Sequence, residues 1–270
     1  MTTEYFYQLM DKCILCDAED YIHKILKDFS RFTSNFQLLP FDYKIQSHYL
    51  TSLNIKMGYA LEEVVKEYLI EQGVKFLDRR TVAGKDCDQI FTYNDRVFLI
   101  EQKVRDDHDS SKKVGQIENY LEKKEYLLNN FPDVKSCCWF IDNDFHKNRA
   151  YYQNQLEKDE LYYGNQIEIF FKEVFGDDRC KNFYNWLSEM CYAYRVRASF
   201  QISFNIDYKN FSVSELYSLL YDKNSRKSIS KILFNGTIPY KEILDWVNHQ
   251  RKSDKKEKLI KLLMEEINNG

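Results

Sequence analysis

The spacing of apolar and polar positions first changes period about a quarter of the way along the chain. Across residues 59–72, Leu61, Val64, Val65, Tyr68 and Leu69 recur at steps of three and four, which predicts a helix with one buried face, and Gly73 stands where a left-handed cap belongs. Beyond it the period falls to two. Residues 74–77, 88–92 and 97–104 read as strands, and Tyr93-Asn94-Asp95-Arg96 joins the last two as a hairpin. A second helix is predicted over 111–129, opened by Asp109-Ser110-Ser111 as capping residues and closed before Pro132. Residues 136–141 read as a buried strand and 166–171 as one more. Residues 1–55 carry two or three helices rich in Tyr, Phe and Leu. From about Asn182 the pattern is helical again, with candidates at 211–221, 226–234, 240–248 and 255–268. This order of elements predicts an α/β fold: a mixed central sheet flanked by helices, with helical N- and C-terminal regions.

Composition narrows the class. The 270 residues are 44% hydrophobic and 30% charged with eight Gly and three Pro, so the chain can bury a core without a metal or disulfide staple. Seven Cys is an odd number without framework spacing, which implies reduced thiols; Cys13 and Cys16 form a CxxC with no second pair, on an amphipathic helical pattern that explains them by packing. No run approaches the roughly 20 apolar residues needed to span a bilayer, and MTTEYFYQLMDK lacks a signal peptide's apolar core, so a cytoplasmic protein away from membranes is expected. The net charge of −3 does not announce a polyanionic partner. Basic residues do cluster, at Arg79-Arg80, Lys103 to Arg105, Lys112-Lys113, Lys123-Lys124, Arg195 to Arg197, Arg226-Lys227 and the tail from Arg251, and each cluster is either a solvated face or a phosphate contact.

The chemistry concentrates at the hairpin. Side chains alternate along a strand, so Glu101 and Lys103 share one face while Ile100 and Gln102 share the other, and the turn brings Asp88 beside Glu101. Two carboxylates converging at a strand end suit magnesium, which takes one or two protein carboxylates and keeps its other positions for water and phosphate oxygens. The neighbouring lysine can orient a water or offset charge developing on a phosphate. Phosphodiester hydrolysis is the reaction this outline suggests. Asp86 is a rival first acid; Asp88 is preferred because Gln89-Ile90-Phe91 runs directly on into the strand.

These residues resemble the motif of the PD-(D/E)xK nucleases, here Asp88, Glu101 and Lys103, with Cys87 where the family usually has Pro. The resemblance implies a restriction-endonuclease-like core and Mg2+ as cofactor, held by Asp88, Glu101 and the Gln102 backbone carbonyl. The Leu61-Glu62 step in GYALEEVVKEYL resembles the leading helix of many restriction enzymes, which implies a further acid at Glu62, with a solvated helix face as the alternative. Gln116 and Tyr120, four apart on one helical face, resemble the QxxxY element of RecB-like nucleases and would address the site or a DNA phosphate together. Lys112 and Lys113, at a helix N-terminus after the polar stretch at 105–111, are candidates for phosphate; Arg226 and Lys227 are candidates for bases or phosphates; His108 reads as a loop residue.

The family reading divides the chain into a helical N-terminal region (1–55), a nuclease core (56–180) and a helical C-terminal region (181–270) that serves DNA recognition. A free-standing chain of this size looks like a type II restriction endonuclease making double-strand breaks in specific double-stranded DNA. A homodimer and a DNA methyltransferase encoded nearby would accompany it. A RecB-like exonuclease or a repair or phage nuclease is the alternative enzyme; a DNA-binding protein without cleavage, or a surface ion network in an unrelated helical protein, are the alternatives outside enzymes. On this reading, alanine at Glu101 or Lys103 costs rate and leaves stability nearly intact.

Overall fold

The computed structural model describes residues 1–14, 21, 24, 41–78, 82–107, 109–197, 207–221, 226, 229, 230, 233, 234 and 236–269. Cys16, Arg79, Arg80, His108 and Lys227 lie outside the described residues. The chain forms two compact units, Met1–Ile14 with Lys56–Ala198, and Leu15–Ile55 with Ser199–Gly270.

The first unit contains α1 (Thr3–Ile14), the C-terminal part of α2 (Phe41–Glu71), β1 (Lys75–Phe76), β2 (Gln89–Tyr93), β3 (Arg96–Lys103), α3 (Ser110–Asn130), β4 (Val134–Phe140), α4 (Arg149–Gln155), β5 (Leu161–Tyr163), α5 (Ile167–Phe175) and α6 (Phe183–Arg197). The sheet runs β1-β2-β3-β4-β5, with antiparallel pairs as far as β3 and parallel pairs from there on, a mixed sheet as expected. Asn94 (φ 50°) and Asp95 (φ 62°) both take the left-handed conformation that a two-residue hairpin loop demands and that these residue types tolerate. That turn pairs Tyr93 with Arg96 and Gln89 with Ile100, and so sets Asp88 opposite Glu101.

Helices cover both sheet faces. Ile90, Val97, Leu99, Cys138, Phe140 and Tyr163 pack with Ile117, Tyr120 and Leu127 of α3 and Tyr152 of α4. On the other face Phe98 meets Phe170 of α5 and Trp139 meets Phe183 of α6, while Tyr68 of α2 stacks against Phe183 and Trp186. The predicted capping of α3 is present: Asp109 accepts from the Lys112 N–H at 2.8 Å, and Phe131, just before Pro132, ends the helix.

One predicted strand is corrected. Residues 166–171 are not a strand but a 3-10 turn running into α5, and the last strand among the described residues is β5, which precedes it. Within six residues the run IEIFF satisfies either period. Over the longer window Ile167, Phe170, Phe171, Val174 and Phe175 are all buried at helical steps, and Gly176 (φ 75°) supplies the left-handed C-cap.

In the second unit α7 (Val213–Tyr221), α8 (Tyr240–Asn248) and α9 (Asp254–Asn269) gather Leu216, Leu219, Leu220, Ile243, Val247, Leu259 and Leu263 around Ile45 of α2. Among the described residues, no helix is long and apolar enough to cross a membrane. Nor do any three His, Cys, Asp or Glu side chains there group as a metal cluster, and Cys13 is a half-buried thiol that burial pushes up from its ordinary value.

Candidate active site

Strand alternation puts Glu101 and Lys103 on the α3 face of β3, and the hairpin register brings Asp88 to them. Lys103 Nζ donates to Asp88 Oδ2 at 2.6 Å and to Glu101 Oε1 at 2.9 Å, so one ammonium joins the two acids. The Gln102 N–H also donates to Asp88 Oδ2, at 2.8 Å, which draws the carboxylate against the Gln102 peptide. Asp86 is exposed in the preceding turn, whereas Cys87 is buried and its thiol is pushed up to about 11, chiefly by that burial.

The second oxygen of Glu101 has its own ammonium. Lys123 Nζ, from α3, donates to Oε2 at 2.7 Å. Its side chain is 4% exposed, against 25% for Lys103. Burial acts to raise the pKa of Glu101, but Lys103 and Lys123 outweigh it and hold the carboxyl below its ordinary range. Asp88 is displaced upward, first by burial and then by the charge of Glu101, with Lys103 only partly offsetting them. Burial also acts to lower Lys103, and the two acids overcome it and raise the ammonium. Two crowded carboxylates form an all-oxygen donor set of the kind that Mg2+ accepts when water and phosphate complete its shell, so the residues present fit that ion.

The remaining predicted residues are placed as follows. Gln89, fully buried, donates from Nε2 to the Glu62 carbonyl at 2.8 Å and to Gln102 Oε1 at 3.2 Å; this ties the leading helix to the hairpin on the face opposite Lys103. The Glu62 side chain is half-buried. Gln116 accepts from the Tyr152 hydroxyl at 2.8 Å. Tyr120, expected to share a DNA-facing role with Gln116, is fully buried between α3 and the sheet with its hydroxyl 2.8 Å from Ser136 Oγ, so its ring serves the core. Lys112 is exposed at the start of α3, and Lys113 lies over the Tyr151 ring at 4.6 Å. Arg226, expected on a surface, is 7% exposed inside the second unit; it pairs with Glu266 and donates from Nε to the Leu220 carbonyl at 2.6 Å. An arginine satisfied in this way within a helical core holds that core together rather than offering its guanidinium to DNA.

Residues 77–191 match the family model described as type II restriction endonuclease, HinfI. That segment is similar to the type II restriction endonucleases of the HinfI family. The match supports a site-specific deoxyribonuclease, an enzyme class whose substrate is DNA. The match spans the hairpin, α3, β4, β5 and the first part of α6, and therefore all of Asp88, Glu101, Lys103 and Lys123; β1, Glu62 and Arg226 lie outside it. No curated protein matches the chain.

Two residues of this neighbourhood were not singled out by sequence. Lys123 appeared only as part of a basic pair, yet it continues the buried stripe Ile117, Tyr120, Leu127 of α3, and a lysine on an apolar stripe signals a buried partner. Asp106, in the polar stretch after β3, is fully buried and accepts from the Asn148 N–H and the Tyr163 hydroxyl, each at 2.8 Å, which fixes the chain leaving the site. Its neighbours made it look like a loop acid, and no local pattern distinguishes it. Arg105 pairs with Asp142 at 3.1 Å.

Proposed function

We propose that the chain is a type II restriction endonuclease that cuts both strands of double-stranded DNA at a specific site by magnesium-dependent hydrolysis centred on Asp88, Glu101 and Lys103. The observation that carries this reading is the Lys103 ammonium within hydrogen-bond reach of both acids at the end of β3. Asp88, Glu101 and the Gln102 carbonyl would hold the ion. Bound there, magnesium supplies Lewis-acid polarisation of the scissile phosphate and a more acidic water. Lys103, the more exposed of the two lysines, orients the attacking water or meets charge growing on the phosphate. Glu62 adds a carboxylate from the leading helix, Gln116 steadies the approach from α3, and Lys112 and Lys113 meet the DNA backbone. The restriction-endonuclease-like core occupies residues 56–180; the helical C-terminal region, 181–270, together with the polar loop at 105–113, contributes recognition. A palindromic site implies a two-fold homodimer, and a methyltransferase encoded nearby would protect host DNA and need not be bound.

The test is plasmid digestion by the purified chain. Discrete fragments with Mg2+, none in excess chelator, and binding without efficient cleavage in Ca2+ are expected. Equal digestion in chelator refutes the metal mechanism. Progressive shortening from DNA ends would point to an exonuclease instead.

A further inference from the structure

A buried ammonium costs several kcal/mol of desolvation unless it is closely paired. Lys123 occupies such a position, and the partner it has is Glu101 Oε2. The four charges of the cluster, Asp88, Glu101, Lys103 and Lys123, balance, and the two lysines divide the oxygens of Glu101 between them. They are not equivalent. Lys103 ends a strand, is partly exposed and is shared with Asp88, so it can leave Oε1 for a substrate. Lys123 rises from the middle of α3 among Ile117, Tyr120 and Leu127, where its stem is packed and its head cannot turn to solvent. We propose that Lys123 is a positioning residue of the cleavage site: it clamps Glu101 through Oε2, so that the carboxylate keeps its orientation toward the cation when Lys103 moves to the phosphate. The inference rests on the magnesium reading above and adds to it a second lysine with a different task from the motif lysine. Groups that orient a metal-binding carboxylate typically contribute about 10–100-fold to affinity or rate.

The experiment uses the full chain and its Lys123→Met and Lys123→Arg variants, on a duplex carrying the site mapped from the parent's own digest. Three quantities are read: Mn2+ binding to the free protein by electron paramagnetic resonance, the single-turnover rate against Mg2+ concentration, and DNA affinity in Ca2+. For K123M we expect parental DNA affinity, a saturating rate lowered about 10–100-fold and Mn2+ affinity weakened about tenfold, with K123R recovering part of both losses. Rate and Mn2+ affinity within about twofold of the parent would overturn the assignment on that scale. So would tighter Mn2+ binding at unchanged rate, which would make the ammonium a mere competitor for Glu101, and so would equal losses in K123M and K123R. Should K123M not fold, the parent decides: the Lys123 ammonium signal in lysine-selective NMR, assigned by its loss in K123R, must shift when Mg2+ is added without DNA, and a stationary signal overturns the role. If Glu101→Gln is inactive while K123M is unimpaired, only this inference fails. If the parent itself needs no Mg2+, the reading beneath it fails.

Discussion

Glu101→Ala does more than remove a catalytic acid. From sequence the change costs rate alone, but in the fold it also leaves the Lys123 ammonium, 4% exposed and 2.7 Å from Glu101 Oε2, without that carboxylate. Removing one member of a buried pair typically costs about 3–5 kcal/mol, because the surviving charge stays desolvated. The first unit of the metal-free protein should therefore lose about 3 kcal/mol or more, a fall in melting temperature of roughly 6–12 °C at about 2–4 °C per kcal/mol. Urea titrations followed by circular dichroism measure it as a lower midpoint at unchanged slope. Adding Lys123→Met to the same chain removes the stranded charge, and since apolar replacements of buried pairs are often neutral or stabilising, the double variant should regain most of the loss. The loss should also depend on pH. Glu101 is held below its ordinary value of 4.5 by Lys103 and Lys123 acting against burial, so its contribution is fully present above that value and disappears as pH falls through the lower folded value. A Glu101→Ala protein within about 1 kcal/mol of the parent at pH 7, or a double variant no more stable than the single one, would refute the pairing argument.

Asp88→Ala should abolish cleavage while Asp86→Ala does not, measured on plasmid DNA in Mg2+; the reverse order would make Asp86 the first acid. Asp106→Ala should destabilise the first unit by about 2–5 kcal/mol, since the Asn148 N–H and the Tyr163 hydroxyl lose their acceptor; a smaller shift in urea midpoint counts against that anchor. Arg226→Ala should lower the stability of the second unit by about 3–5 kcal/mol by stranding Glu266, and leave the salt dependence of DNA affinity unchanged. A slope shallower by about one unit would instead make Arg226 a phosphate contact.

The sequence by itself determined everything that depends on near neighbours. The period of two at 88–104 and the Asn94-Asp95 turn specify the hairpin register, and that register alone sets Asp88, Glu101 and Lys103 together. The Asp109 cap and the stripe along α3 were equally legible, because caps and helical faces are decided within a few residues. Run 166–171 was misread in a window too short to separate the two periods. Tertiary structure alone decided which polar side chains are buried and by what. Lys123 and Arg226 look like ordinary basic residues in the chain, Tyr120 like half of a surface motif, and Asp106 like a loop acid; each is defined by partners 16 to 57 positions away in sequence. It also decided that Met1–Ile14 joins Lys56–Ala198 in one compact unit. The physical reason is the same in each case: desolvation depends on what lies around a group in space, and the cost of burying a charge, or the gain from pairing it, exists only once distant segments have come together.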